Sequence, residues 1–288
     1  MQINVVCTDH GWIYSQFIDQ FKKHSKHTIL LNAKKDYDVV HWLPYYEYRE
    51  DTVPSTCWLS HQEKKQPLNN KFVAVAKEVD VGLSHSRKYA TMLRDNHNLD
   101  NIMSIIPGID LEKFKLRSSR RSNKTNKLIV GYIGRQYTSS NRKNPQLLDK
   151  INKLPFIEFR TTGGKVATGK IPKFYSGLDL IVSPAIIEGG PMCVQEGLAV
   201  GVPILCMENV GVTNEFGEGV IKAKDNDDFV TKLKQIYDNK EYINKWRSPS
   251  YTSKLRKQIE KQTWEKFVHE HDKVWEMITT KSWRETNG

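Results

Sequence analysis

Short apolar, β-branched runs recur along this chain with helix-compatible stretches between them, and that alternation limits the fold more than any other feature. INVVC at 3–7, TILL at 28–31, VVHWL at 39–43 and CWLS at 57–60 read as strands. Between the first two, Trp12 to His24 sets Ile13, Phe17, Ile18 and Phe21 on one face at three- and four-residue spacing. Strands separated by such helices predict a parallel sheet covered on both sides. The pattern restarts later as KLIVGYIG at 127–134, IEFRTTGG at 157–164, LDLIVSPA at 178–185, VPILCM at 202–207 and GVIKA at 219–223. A chain of 288 residues exceeds one ordinary core. The expectation is therefore an α/β protein of two doubly wound domains, residues 1–110 and 127–251, joined by a basic linker at 111–126. The tail, 252–288, carries Leu255, Ile259, Trp264, Phe267, Val274, Trp275 and Ile278 at roughly helical spacing. It reads as one or two amphipathic helices that can cross back to the first domain or pack on the second.

The formal net charge of +11 points to an anionic partner. Residues 1–110 are balanced, and the stretch KFKLRSSRRSNKTNK at 113–127 holds seven Lys or Arg and no acid. A solvated linker is the plain reading of that run, ahead of a nucleic-acid or membrane patch built on Arg117, Arg120, Arg121 and Lys124. Cys7, Cys57, Cys193 and Cys206 are far apart, with no spacing suited to zinc, and read as buried thiols in a reducing compartment. MQINVVCTDHGW enters a strand directly and no apolar run approaches ~20 residues, so neither a signal peptide nor a membrane span is read. A cytoplasmic location is expected, with peripheral membrane attachment allowed.

The most informative segment is SPAIIEGGPMCVQEGLAVGVPIL at 183–205. A buried strand ends at Pro184, a loop carries Glu188, Gly189 and Gly190, and Pro191 stands where a first helical position tolerates proline. A helix starting at a strand's carboxyl end is where open α/β sheets bind ligands, and its amides favour phosphate. The glycines let a ligand approach the backbone. Glu196 falls about 7 Å further along the axis than Pro191, where a carboxylate can accept from ribose hydroxyls.

The E-x7-E spacing of Glu188 and Glu196 within this segment closely resembles the signature of retaining GT-B glycosyltransferases of family four, the glycosyl transferases group 1. Three further segments agree in order and distance: IPGIDLEKF at 106–114, GYIGR at 131–135 followed by Lys143, and IPKFYSGLDLIVSP at 171–184. The resemblance covers about 106–265 well and the first domain weakly. It implies two Rossmann-like domains facing a central cleft, the first shorter than the family commonly has. It implies a donor diphosphate held by Arg135 and Lys143, a role that suits two cations facing a charge near minus two. Glu188 would hold sugar hydroxyls with the amides of Gly189, Gly190, Met192 and Cys193 beside Pro191, and Glu196 would grip the ribose. In the first domain Gly11 matches a family glycine pair whose second member is Trp12 here, and His61 is similar in place to the active-site histidine. The loop Thr161 to Lys165, with Gly163 and Gly164, would read a uridine or guanosine base.

The implied reaction moves a sugar from a nucleoside-diphosphate sugar to an acceptor hydroxyl on a glycan or lipid-linked molecule, with retention, no cofactor and no metal. Its demands are charge stabilisation on the diphosphate and positioning of two reactants. Two glutamates alone would also suit a glycosidase, but paired cations at a helix start call for a phosphate. The triplet Asp36, Tyr37, Asp38 has the D-x-D form of a metal site yet precedes a strand and reads as its entry turn. Ser84, His85 and Ser86 follow a strand as a family loop does, with no role forced, and His41 reads as structural. Alternatives are a transferase acting on modified DNA bases, a nucleotide-sugar epimerase, and a basic nucleic-acid-binding module; the oligomeric state is left open.

Overall fold

The computed structural model describes residues 1–9, 12–62, 66–118, 126–134, 141–186, 188–208 and 210–280. The chain divides into two compact units, one made of 1–108 with 262–288, the other of 109–261.

The first unit holds six parallel strands: β1 (Gln2–Val6), β2 (Thr28–Leu31), β3 (Val39–Trp42), β4 (Ser55–Trp58), β5 (Val81–Ser84) and β6 (Ile102–Ser104), in the order β2-β1-β3-β4-β5-β6. Helices α1 (Trp12–His24), α2 (Leu68–Glu78) and α3 (Arg87–His97) connect them. The fourth strand starts two residues before the predicted CWLS because its first residues are polar yet buried. Ser55 N donates to Asp80 Oδ2 at 2.7 Å, and Thr56 Oγ1 accepts from Trp275 Nε1 at 3.2 Å and bonds His41 Nδ1 at 2.8 Å. Polar residues whose hydrogen bonds are met inside the fold break the apolar pattern without breaking the strand.

The second unit holds β7 (Leu128–Tyr132), β8 (Ile157–Thr161), β9 (Leu180–Ser183), β10 (Ile204–Met207) and β11 (Val220–Ala223), all parallel, in the order β11-β10-β9-β7-β8. Its helices are α4 (Pro145–Asn152), α5 (Ile171–Ser176), α6 (Met192–Val200), α7 (Asn226–Asp238), α8 (Lys240–Arg247) and α9 (Pro249–Lys257). The chain runs from β7 outward to β8, then crosses to β9 on the other side of β7. Between β7 and β9 lies the topological switch, the position where open α/β sheets receive ligands.

The expected solvated run begins differently. Arg117 is buried, donating from its guanidinium to Leu178 O at 2.7 Å and to Trp246 O at 2.8 Å, and its backbone N–H reaches Val200 O at 3.0 Å. Three backbone carbonyls thereby receive bonds from one residue, which ties Arg117 into the second unit. Arg120, Arg121 and Lys124 lie outside the described residues.

In the tail, α10 (Trp264–Thr279) belongs to the first unit. Phe267 packs on Phe17 and Phe21, with ring centroids 4.9 and 5.6 Å apart, and Trp275 lies 5.4 Å from Phe21. His41 and His271 are fully buried in this aromatic cluster, their rings 5.5 Å apart, and burial holds His41 well below its usual range and His271 at about 3. Asp272 ties the helix to the end of α1 through Ser25 Oγ at 2.6 Å and the Lys26 N–H at 3.1 Å. Among the described residues no helix is long and apolar enough to cross a membrane.

Candidate active site

At the switch of the second unit two loops meet. The loop after β9 carries Glu188, Gly189 and Gly190 into α6. Pro191 has extended backbone (φ −67°, ψ 119°) and is the cap of that helix, one position earlier than first-turn proline was expected. Its side chain accepts no bond from the helix, so the first-turn N–H groups are not closed by a side-chain cap there. Met192 and Cys193 open the helix, and every residue from Met192 to Val200 is buried.

The loop is held from behind by a turn that the sequence did not flag. Gly211 N donates to Glu188 O at 3.0 Å, and Val212 N to Gly189 O at 3.1 Å. A Cβ on Gly211 would sit 1.6 Å from Gly189 O, so the approach requires glycine for space alone. From the other side, Ile186 N donates to Arg142 O at 3.0 Å, joining the loop after β9 to the segment Asn141–Lys143 that precedes α4.

That segment supplies the charges. Lys143 Nζ and Arg142 Nη1 both reach Glu188 Oε2, the arginine at 2.7 Å. All three side chains are largely covered, with 18%, 10% and 14% exposure for Lys143, Arg142 and Glu188. Two cations thus meet one carboxylate oxygen in a partly desolvated place. Arg142 escaped the sequence reading because an arginine beside a lysine in a polar loop has no pattern to mark it.

Glu196 is buried on α6 and accepts from the Tyr175 hydroxyl at 2.5 Å. Burial pushes its carboxyl up to about 7, opposed by the Tyr175 bond and by the charge of Lys113. Tyr175, on α5, is fully buried, and burial together with Glu196 holds its hydroxyl protonated. The expectation of a ligand-facing carboxylate therefore meets one that already has an internal donor. Burial also pushes the Cys193 thiol up to about 12.

Gly163 and Gly164 form the turn after β8 with φ of +54° and +74°. Thr161 Oγ1 accepts from Gly163 N at 3.1 Å, and Thr162 Oγ1 accepts from Gly134 N at 3.1 Å, which ties this turn to the end of β7. Arg135 lies outside the described residues, as does Gly11.

In the first unit, His61 follows β4, and its Nδ1 pairs with Ser60 Oγ at 3.1 Å. Ser86 caps α3 by accepting from Tyr89 N at 3.2 Å, and His85 Nε2 accepts from Trp58 Nε1 at 3.2 Å. In the Asp36–Asp38 triplet, Asp36 has φ of +63° and Asp38 Oδ2 accepts from Gln2 N at 2.7 Å at the entry to β3. Among the described residues no group of three or more His, Cys, Asp or Glu is placed to hold a metal.

Comparison with known proteins agrees with this fold. Residues 111–253 match the family model for glycosyl transferases group 1. No curated protein matches the chain. Among solved structures, HepE of Anabaena in complex with UDP-glucose is similar with a TM-score of 0.68 at 12% identity, over 95% of this chain and 100% of that one. A glycosyltransferase from Rickettsia africae gives a TM-score of 0.64 at 11% identity, over 97% and 99%. S. aureus TarM in complex with UDP gives 0.57 at 14% identity, over 82% of this chain, which spans only 55% of the TarM chain. With its two parallel α/β sheets of the GT-B fold, the chain carries, over 111–253, a region that matches the glycosyl transferases group 1 family.

Proposed function

We propose that the chain moves a sugar from a nucleoside-diphosphate sugar to an acceptor hydroxyl, with retention, and that the donor sits at the β7–β9 switch of the second unit. The observation that carries this reading is the meeting of Lys143 with the glycine loop at the head of α6, beside the buried Glu196. In this reading Lys143 and Arg135 face the diphosphate, joined by the amides of Gly190, Met192 and Cys193. Glu188 orients sugar hydroxyls, Glu196 takes the ribose, and the turn at Gly163 and Gly164 lies toward the base. UDP is the first nucleotide to test, because HepE and TarM were each solved with UDP or a UDP-sugar.

The chemical work is electrostatic. Negative charge grows on the β-phosphate as the bond to the sugar breaks, and fixed cations in a partly dry site stabilise it without reorganising. The acceptor hydroxyl attacks from the face that the phosphate leaves, and the phosphate oxygen takes its proton. Positioning supplies the rest. A glycan or lipid-linked hydroxyl is the proposed acceptor.

A panel of UDP- and GDP-sugars scored for thermal stabilisation and slow hydrolysis tests the reading, since a ligand that binds only the folded state raises stability by mass action. One nucleotide class should stabilise the wild type, and Glu196→Ala should remove most of that response. An equal response in both proteins rejects the donor site.

A further inference from the structure

We propose that Tyr175 is a positioning residue for the ribose of the donor: its hydroxyl holds one oxygen of Glu196 and so fixes the other for the ribose hydroxyls. The inference rests on the donor-site reading above and goes beyond it by assigning a residue that acts through another. Tyr175 is fully buried near the end of α5, and its hydroxyl donates to Glu196 Oε2 at 2.5 Å. Among the described residues it is the one hydrogen-bond partner of that carboxylate, which leaves Oε1 over. Glu196 itself is 2% exposed, on a helix whose every residue from Met192 to Val200 is buried.

As packing alone the pair is a poor choice. Two buried polar groups that bond each other gain little over apolar side chains of the same shape, and replacing both can even stabilise a fold. The arrangement suits an oxygen kept ready for a hydroxyl. A carboxylate free to turn about its last bond would offer that oxygen in many directions, and the bond to Oε2 removes most of this freedom before a ligand arrives. The ring of Tyr175 is itself backed by Phe114, with centroids 6.0 Å apart, and the Phe114 carbonyl accepts from Arg256 Nη1 at 2.6 Å.

The surroundings of Glu196 leave its charge to few groups. Burial pushes its carboxyl up to about 7, while the Tyr175 bond and Lys113, whose Nζ lies 5.5 Å from the Phe114 ring, favour the ionised form. On the same helix Cys193 stays a thiol. Arg256 of α9 gives its guanidinium to the carbonyls of Phe114, Ala199 and Leu111, and β9 and β10 meet α6 at Gly197 with Ile181 and Ile204. Tyr175 is therefore the bonded group that keeps Glu196 an acceptor near neutral pH.

Isothermal titration of the full chain with UDP, GDP and their 2′,3′-dideoxy counterparts tests this. The wild type should prefer the ribose form of one nucleotide about 10- to 100-fold, the range for hydrogen bonds to a charged group. Tyr175→Phe should cut that preference about 5- to 10-fold and leave dideoxynucleotide affinity within about twofold; in the Glu196→Gln background it should change the preference less than about twofold. The wild-type preference should rise as pH passes about 7, because the ionised carboxylate is the better acceptor, and Tyr175→Phe should move that rise to higher pH. If Tyr175→Phe does not fold, 3-fluorotyrosine placed at 175 keeps the ring, donates more strongly and should move the rise to lower pH. A folded Tyr175→Phe protein that loses affinity for both forms alike or keeps the wild-type preference, or a rise unmoved by 3-fluorotyrosine, overturns this inference and leaves the donor site standing. A wild type that binds neither UDP nor GDP overturns both.

Discussion

The first unit also has a topological switch, between β1 and β3, and it fills that place in the opposite way to the second. There the loop after β1 offers the N–H groups of Thr8 and Asp9, and Glu47 takes them: its carboxylate accepts from Thr8 N at 2.9 Å, from Thr8 Oγ1 at 2.6 Å and from Asp9 N at 3.2 Å. In the second unit the corresponding place brings Arg142 and Lys143 together on the Glu188 carboxylate. The charge of the whole chain follows the same division. Residues 109–261 hold 27 basic against 16 acidic side chains, and the first unit holds 17 of each. Both sheets therefore carry a switch, and the loops there differ in the charged side chains they hold, Glu47 in one and Arg142, Lys143 and Glu188 in the other. A doubly wound sheet is a permissive frame; the site is made by what its loops carry.

The contrast can be broken most directly at Lys143. Lys143→Met should lower kcat/KM by about 100-fold or more, the scale seen when a charge-stabilising group is removed. A loss below threefold would mean that the second switch is not where charge develops. Gly211→Ala comes next. With a Cβ placed 1.6 Å from Gly189 O, the loop at Glu188 must shift, and UDP affinity measured by titration should fall about tenfold, with a lower Tm. Unchanged affinity would show that the loop does not touch the donor.

Acidity should move the two units in opposite directions. Glu196 holds its proton up to about pH 7 in the fold, against an ordinary value of 4.5, so its contribution to stability is full below about 4.5 and is lost as pH rises to about 7. His41 and His271 are kept neutral by burial, so their contribution is present above about 6.5 and is lost as pH falls toward about 3. Hydrogen exchange followed separately in β4 and β9 should show protection in β4 falling from pH 7 to 5 while β9 holds or gains. Glu196→Gln should raise the Tm of the donor-free protein at pH 8 by about 2–4 °C. Parallel pH responses in both units would contradict this assignment. The smallest effect is expected from Glu47→Ala, which should cost about 1 kcal/mol of stability and leave UDP affinity within twofold. A large change in UDP affinity would make the first switch part of the donor site.

Much of the architecture was legible because parallel strands buried on both faces leave continuous apolar runs. VVHW, LIVGY and LIVS announce β3, β7 and β9 in this way. β4 was misplaced by two residues because Ser55 and Thr56 are buried polar residues whose partners, Asp80, His41 and Trp275, are distant in sequence. Glu188, Lys143 and Glu196 could be singled out because they stand at motif spacings. Arg142, Tyr175 and Gly211 could not, since each matters through a contact made across the fold: an ion pair 46 residues away, a hydroxyl bond 21 residues away, and a close backbone approach. Arg117 shows the reverse case. Within a run of cations it reads as solvent-facing, and only the carbonyls of Leu178 and Trp246 make it a core residue.

The return of α10 to the first unit sets the order in which the molecule can mature on the ribosome. Residues 1–108 emerge first, but Phe17, Phe21 and Trp58 lack the faces of Phe267, His271 and Trp275 until the chain has been made as far as Thr279. At about 5–20 residues per second that interval is roughly 10–30 s. Throughout it the nascent first unit presents an open aromatic surface, while the uninterrupted second unit can complete itself. Translation pauses or stop codons placed between Lys261 and Thr279 should therefore affect the unit whose strands were synthesised first.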